Sequence, residues 1–315
     1  MTILVTGGSG FVGKALCTSL WESGYFMRLA QRSANTKSGT LEQAVVGEID
    51  ATTHWSAALK DVEVVIHLAG RVNEMDDQSA NPLTEFRRIN VEGSLNLARQ
   101  AASAGVKRLI YLSSVKVNGG LTVPGQPFKE SDMANPQDAY GLSKYEAEQG
   151  LLLIAQQTGI EVVIIRPPLV YGQGVKANFA SMMRAVRRGM PLPLGAVRNN
   201  SSFLYIGNLV SLITVCMHHP AAANQVFLVS DGCDLSTPQL LQACATALGV
   251  KSRLWPVPQR VIEGLAALLG KRDVAQRLCG SLQVDITKAR SLLGWTPTIS
   301  VTDGLMATAK SFKWY

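Results

Sequence analysis

Tyr140 and Lys144 stand four residues apart in Tyr140-Gly-Leu-Ser-Lys144, at the head of a run with helical character. That spacing puts a phenol and an ammonium on one helical face. A tyrosine with an ordinary pKa of about 10 is a poor acid–base group at neutral pH. A neighbouring cation favours the phenolate and brings the group toward working range. A hydroxyl is available too. Ser113 and Ser114 close the apolar run that starts at Arg108. At the C-terminal end of a strand, a serine can hold a carbonyl or hydroxyl beside a tyrosine. Strand-end capping is the plainer alternative.

A second constellation opens the chain. Thr6-Gly7-Gly8-Ser9-Gly10-Phe11-Val12-Gly13 follows a strand-like run directly and leads into a helix. Glycines at 7, 10 and 13 allow a tight turn and close backbone approach to a pyrophosphate, which the free N–H groups of the helix start would bind. The strand–turn–helix context raises this above a chance glycine pattern. After the second strand an acidic residue would hold the ribose 2′-hydroxyl of NAD. Here the residues are Ala30-Gln31-Arg32-Ser33. Arg32 can pair with a 2′-phosphate and Ser33 can donate to it, which favours NADP(H). An exposed loop arginine is the alternative.

The elements that must carry these groups alternate. Strands are expected at Thr2–Thr6, Tyr25–Ala30, Gln43–Val46, Val62–Leu68, Arg108–Ser113 and Glu161–Arg166. Helices are expected at Phe11–Ser23, His54–Leu59, Glu85–Ala104 and Ala139–Thr158. Continuous apolar strands fit a parallel sheet covered on both faces, so the fold class is α/β, doubly wound. After Arg166 the rhythm breaks. Residues 169–202 read as loop-rich, and Gln225–Val229 as a strand returning to the sheet. A Rossmann domain of 1–168 plus about 203–230 is expected, with a smaller, discontinuous substrate lobe of about 169–202 plus 231–315.

The 315 residues are 47% apolar and 17% charged, enough for a sizeable core. Net charge is +7, with basic residues scattered and no nucleic-acid reader motif, so a phosphate-bearing ligand is the expected partner. The five cysteines show no metal-ligand or redox-pair spacing and suit a reducing compartment. The chain shows neither a secretory leader nor a membrane span, and a cytoplasmic location and a homodimer are expected. Leu209–Met217 reads as a buried helix. His67 reads as structural, and His218 and His219 as helix caps. Lys116 can touch substrate or be an ordinary loop lysine. Glu74, Asp76 and Asp77 lack ligand spacing, so no metal is expected. Val261–Leu269 with Lys271 and Arg272 can lie on a membrane; packing on the second lobe is the plainer reading.

Taken in order, TGGSGFVG at 6–13, HLAG at 67–70, NVEG at 90–93, LSSVKVNG at 112–119, YGLSK at 140–144, RPPLVYG at 166–172 and LGWTP at 293–297 resemble the extended short-chain dehydrogenase/reductases. More closely, they resemble its nucleotide-sugar epimerase, dehydratase and 4-keto reductase group. The resemblance implies that Gly7, Gly10, Phe11, Val12 and Gly13 hold the cofactor pyrophosphate. It places Glu48 and Ile49 at adenine, Leu68, Ala69, Gly70 and Pro167 along the cofactor, and Asn90 beneath the active-site strands. It makes Ser114, rather than Ser113, the catalytic serine, Tyr140 the acid–base residue and Lys144 its partner. Asn178 and Arg277 match positions that contact the nucleotide diphosphate. Two departures stand out. Leu169 or Val170 replaces a usual asparagine. Ser201-Ser202-Phe203 replaces Arg-Asp-Phe/Tyr, removing one phosphate ligand that Arg184, Arg188 or Arg198 could replace.

Three activities follow from the resemblance. An NADP(H)-dependent reductase of a 4-keto-6-deoxy nucleotide sugar, of the UDP-N-acetylhexosamine type, is favoured because of Arg32 and the segment RLCGSLQVD at 277–285. A UDP-hexose or N-acetylhexosamine 4-epimerase with tightly held NAD(H) is the alternative. A non-catalytic NADP(H) sensor is disfavoured by the intact Ser114, Tyr140 and Lys144. Reduction of a small flavonoid- or steroid-like ketone is a fourth chemistry.

Overall fold

The computed structural model describes residues 1–33, 42–72 and 81–312. The candidate metal carboxylates Glu74, Asp76 and Asp77 lie outside them. The strands are β1 (Thr2–Thr6), β2 (Phe26–Gln31), β3 (Glu42–Val45), β4 (Val64–His67), β5 (Arg108–Leu112), β6 (Glu161–Arg166), β7 (Leu169–Tyr171), β8 (Phe203–Tyr205) and β9 (Gln225–Leu228). The α-helices are α1 (Phe11–Glu22), α2 (Ser56–Leu59), α3 (Pro82–Phe86), α4 (Ser94–Ser103), α5 (Ala139–Thr158), α6 (Ala177–Arg187), α7 (Ile206–His218), α8 (Thr237–Ala247), α9 (Gln259–Leu268), α10 (Arg272–Cys279), α11 (Thr287–Leu293) and α12 (Val301–Ser311).

Seven strands form one parallel sheet in the order β3-β2-β1-β4-β5-β6-β9. The chain leaves β1 toward one edge and resumes at β4 toward the other. The crevice between those two strand ends is where ligands bind in such sheets. Thr6 and His67 face each other across it. The apolar strand runs are buried on both sides. Ile3, Val5, Ile66 and Val163 pack against α1 and α7, while Leu4, Val65, Leu109 and Val162 pack against α4 and α5.

The expected doubly wound sheet is present, with strand ends shifted by a residue or two. Three local readings need correction. The expected single helix 85–104 is α3, a wider π-helical turn Arg87–Gly93, and α4. The turn aims Asn90 inward, and π-turns of this kind often mark functional positions. The stretch 169–202 is not simply loop. It contains β7 and α6, and β7 pairs with β8 in a separate two-stranded parallel sheet. A third core of Tyr171, Phe179, Met183, Leu240, Leu241 and Leu305 lies beside this sheet. Finally, α9 has no fully buried residue. Only its inner edge packs, with Ile262 against that third core.

Candidate active site

α5 begins at Asp138, whose carboxylate accepts the Gly141 N–H at 2.7 Å and so caps the helix. Tyr140 and Lys144 therefore sit in its first turns, as their spacing predicts. Opposite them, β5 ends in Ser113 and Ser114, and a short 3₁₀ turn Val115–Val117 follows. Gly141 is required here by close approach: a Cβ on it would meet the Lys116 carbonyl oxygen at 2.8 Å. The helix and the serine turn touch backbone to backbone, which holds the Ser114 hydroxyl against the Tyr140 phenol.

The two candidate serines separate clearly. Ser114 hydrogen-bonds Tyr140 and accepts the Lys116 N–H at 3.3 Å. The Ser113 hydroxyl is buried, with no partner among the described residues. Lys144 Nζ donates to the Tyr111 hydroxyl at 3.1 Å and to the Leu112 carbonyl at 2.9 Å. It lies 6.0 Å from the centre of the Tyr140 ring. Lys116 Nζ lies 6.0 Å from the same ring and is ion-paired to Asp138. Lys116 therefore borders the phenol rather than standing free in a loop.

The electrostatics differ from the simple expectation of a phenol tuned down by its lysine. Burial, and then the Asp138 carboxylate, push the Tyr140 phenol up to about 12, with the Ser114 hydrogen bond pulling the other way. Burial pushes Lys144 down to about 8, opposed by Glu148 one turn further along α5. Lys144 is held by Tyr111 and Leu112, and burial is the larger influence on the phenol. Glu148 is itself fully buried in a bidentate pair with Arg166, at 2.5 to 3.2 Å.

The glycine turn fits a closely approaching backbone and ligand. Gly7 has φ +70°, and a Cβ there would meet the Ala69 nitrogen at 2.7 Å. A Cβ on Gly13 would meet the Gly7 carbonyl at 2.1 Å. Gly10 caps α1 without a side-chain acceptor, leaving the first-turn N–H groups open to an anion. Phe11 and Val12 are half-buried in that turn. The Thr6 hydroxyl accepts the Ala69 N–H at 3.2 Å and ties Leu68, Ala69 and Gly70 to the same crevice. A Cβ on Gly70 would stand 3.5 Å from Lys144 Nζ. The glycine cradle and the candidate Ser114–Tyr140–Lys144 group thus share one rim, as a dinucleotide site requires.

Asn90 supports this rim from behind. Its amide accepts from the Arg71 N–H and donates to the Arg71 carbonyl and the Ser143 hydroxyl at 2.8 to 3.1 Å. Both its donors are spent on protein, so it positions the rim rather than donating to a cofactor. Pro167 is buried, with its carbonyl accepting the Val115 N–H at 3.0 Å. Ile49 is half-buried and lies against Gly93, where a Cβ would meet its side chain at 2.8 Å. Ser33 is exposed. Arg32 is exposed as well, but its guanidinium lies 3.5 Å from the Glu48 carboxylate.

The expected substrate ligands of the second lobe are solvent-exposed. Asn178 and Arg188 are exposed at the two ends of α6, and Arg184 and Arg198 are exposed as well. Arg277 is exposed and its Nε donates to the Asp273 carbonyl of its own helix. The Ser202 hydroxyl binds Asp234 at 2.5 Å and accepts the Val284 N–H, a structural use. His67 is buried between the Thr6 hydroxyl at 2.6 Å and the Ser94 hydroxyl at 2.9 Å, as a structural histidine should be. His218, in the last turn of α7, pairs with the Tyr25 hydroxyl, and His219 is the C-cap of α7, its N–H donating to the Val215 carbonyl while its ring caps the following 3₁₀ turn.

Sequence reasoning missed Asp138, Tyr111, Ser94 and Glu148. Asp138 three residues before Gly141 is an N-cap signal that could have been read. Tyr111 and Ser94 carry no such signal, because their partners come from distant elements.

The description of the NAD-dependent epimerase/dehydratase family matches residues 3–230. The chain belongs to this family. A UDP-glucose 4-epimerase of Vibrio cholerae is 48% identical over 314 residues, covering 99% of this chain and 95% of the relative. An N-acetyl-α-D-glucosaminyl-diphospho-ditrans,octacis-undecaprenol 4-epimerase of Escherichia coli O157:H7 is 27% identical, covering 97% of this chain and 93% of its own. The UDP-glucose 4-epimerase of Thermotoga maritima, solved with UDP-glucose, has the same fold, with a TM-score of 0.78 at 24% identity and 99% of each chain covered. This family member is an enzyme with an NAD(P)-binding Rossmann sheet.

Proposed function

We propose that this family member is a UDP-hexose or UDP-N-acetylhexosamine 4-epimerase that works with a retained NAD. The 48% identity with the Vibrio cholerae relative, along nearly the whole chain, carries this reading. It supports the epimerase alternative over the 4-keto reductase favoured from Arg32. The Glu48 carboxylate beside Arg32 points the same way, since it would repel a 2′-phosphate there while accepting ribose hydroxyls.

When bound, NAD would supply a hydride acceptor and then a hydride donor for the sugar's C4. In its phenolate form Tyr140 would take the C4 hydroxyl proton as the carbonyl forms and return it when the alcohol is restored. Ser114 holds the oxygen, and Lys144 keeps positive charge beside the phenol. Gly7, Gly10, Phe11, Val12 and Gly13 hold pyrophosphate, with Glu48 and Ile49 toward adenine and Leu68, Ala69, Gly70 and Pro167 along the cofactor. Asn178, Arg188 and Arg277 serve the substrate diphosphate, from a lobe built of about 169–202 plus 231–315. A sugar diphosphate on undecaprenol, as in the Escherichia coli relative's name, is the second reading; the exposed apolar face of α9 favours it.

Two measurements on freshly purified protein test the proposal. Mass analysis of cofactor released by heat should find stoichiometric NAD. Incubation with UDP-galactose should yield UDP-glucose without added NADH or NADPH. Turnover seen only as NADPH consumption on a 4-keto nucleotide sugar would replace the epimerase with the reductase.

A further inference from the structure

α9 and the turn after it present an apolar face that the fold leaves uncovered. Val261, Leu265, Leu268 and Leu269 are 49%, 56%, 85% and 71% exposed. Positions 261, 265 and 268 lie on one side of the helix, about a quarter turn round from Ile262, which packs inward. Trp255, 61% exposed, precedes the helix, and Val274, 45% exposed, follows it. Several large apolar side chains exposed along one side of a helix form the kind of patch that marks an interaction surface.

The charges around the face say with what. From 251 to 277 the basic residues are Lys251, Arg253, Arg260, Lys271, Arg272 and Arg277, all exposed. The acidic ones in that stretch are Glu263 and Asp273. Glu263 is already held by Gln259. Arg260 stands in the first turn beside Val261, and Lys271 and Arg272 directly follow Leu268 and Leu269. A second copy docked on the same patch would bring like charges together. An anionic lipid surface answers both features at once: acyl chains take the leucines and headgroups take the cations. No described helix is long and apolar enough to cross a membrane, so α9 would lie in the plane of the surface.

We propose that α9 and the start of α10 form a peripheral docking face for anionic membrane. The face connects to the catalytic side of the molecule. α10 ends at Gly280, where a Cβ would meet the Leu121 side chain at 2.4 Å, and Leu121 follows the Ser114 turn by a few residues. Docking therefore brings the substrate lobe to the bilayer. The proposal goes beyond the reaction assigned above and stands without it, since vesicle binding needs no substrate.

The test is sedimentation of the full chain with phosphatidylglycerol-containing vesicles and with pure phosphatidylcholine vesicles, at low and high salt. The wild type should pellet with the anionic vesicles at low salt and be released by high salt. The double variants Leu265→Glu/Leu268→Glu and Lys271→Glu/Arg272→Glu should each lose binding on the order of tenfold. Both should keep the wild-type melting temperature, because every altered side chain is exposed. Three results would overturn the proposal: no wild-type binding to anionic vesicles, equal binding to phosphatidylcholine, or undiminished binding by Leu265→Glu/Leu268→Glu. So would a wild-type oligomer that this leucine variant dissolves, which would make the face a protein interface.

Discussion

Tyr140 and Lys144 approach neutrality from opposite sides. The phenol is pushed up to about 12 and the ammonium down to about 8, each mainly by burial. At neutral pH the pair is a phenol beside a cation; taking the C4 hydroxyl proton requires the phenolate, which the Lys144 cation favours. Tyr140→Phe removes the proton carrier and leaves the ring packed edge-on against Phe86. Turnover should fall by about 10²–10⁴-fold while cofactor affinity, measured by fluorescence titration, stays nearly unchanged. Lys144 is charged below a pH of about 8 and neutral above it. The pH profile of kcat/KM should therefore fall on its alkaline side near 8. In Lys144→Arg the residual activity should show no such limb, because a guanidinium stays protonated throughout.

At the scale of elements, α5 and the 3₁₀ turn after β5 make the site by touching. Gly141 permits it, Asp138 caps the helix and binds Lys116, and Ser114 meets Tyr140 across the contact. Gly141→Ala forces a Cβ against a backbone carbonyl that has little room to yield. The helix and turn must part by a fraction of an ångström. The stability loss should be about 1–3 kcal/mol by chemical denaturation. The loss in kcat should be proportionally larger than that loss in stability implies, since catalytic groups tolerate little misplacement. A variant with wild-type kcat would show that this contact does not set the Ser114–Tyr140 geometry. The π-helical turn Arg87–Gly93 is the other shaping element. It brings Asn90 to the loop after β4 and Gly93 onto Ile49.

Across the whole molecule, a buried polar chain joins the sheet to its covering helices. Thr6, His67, Ser94, Tyr111 and Lys144 are linked by hydrogen bonds from β1 through β4, α4 and β5 to α5. On the other side, the buried Asp231 accepts from the Tyr171 hydroxyl, the Tyr205 N–H and the Asn208 amide, each at 2.8 Å. That carboxylate ties the small sheet and third core to the main body. His67 makes global stability depend on pH. Burial, and then Lys144, pull its pKa down to about 3. The unfolded chain protonates it at about 6.5. Between those values the unfolded state holds the extra proton. His67's share of stability is therefore complete above a pH of about 6.5 and drains away as pH falls toward 3, by up to about 1.4 kcal/mol per pH unit. Urea unfolding at pH 7 and pH 5 should show this slope in the wild type and a shallower one in His67→Gln. Equal slopes would remove His67 from the account.

The parallel sheet, its glycine turn and the Tyr140–Lys144 face were legible in the chain because each is a local pattern. A buried strand is a run of apolar residues, a phosphate turn is a set of glycines, and one helical face is a spacing of four. Ser113 and Ser114 were legible as a strand-end pair, and the family resemblance, not position, singled out Ser114. The π-turn, the β7–β8 pair, the uncovered face of α9 and the real partners of Lys144 and Arg32 were not. They depend on which distant residues arrive beside them. Hydrogen bonding and burial are properties of neighbours in space, and only the tertiary fold puts Tyr111 under Lys144 and Glu48 beside Arg32 and leaves Leu268 exposed among the described residues.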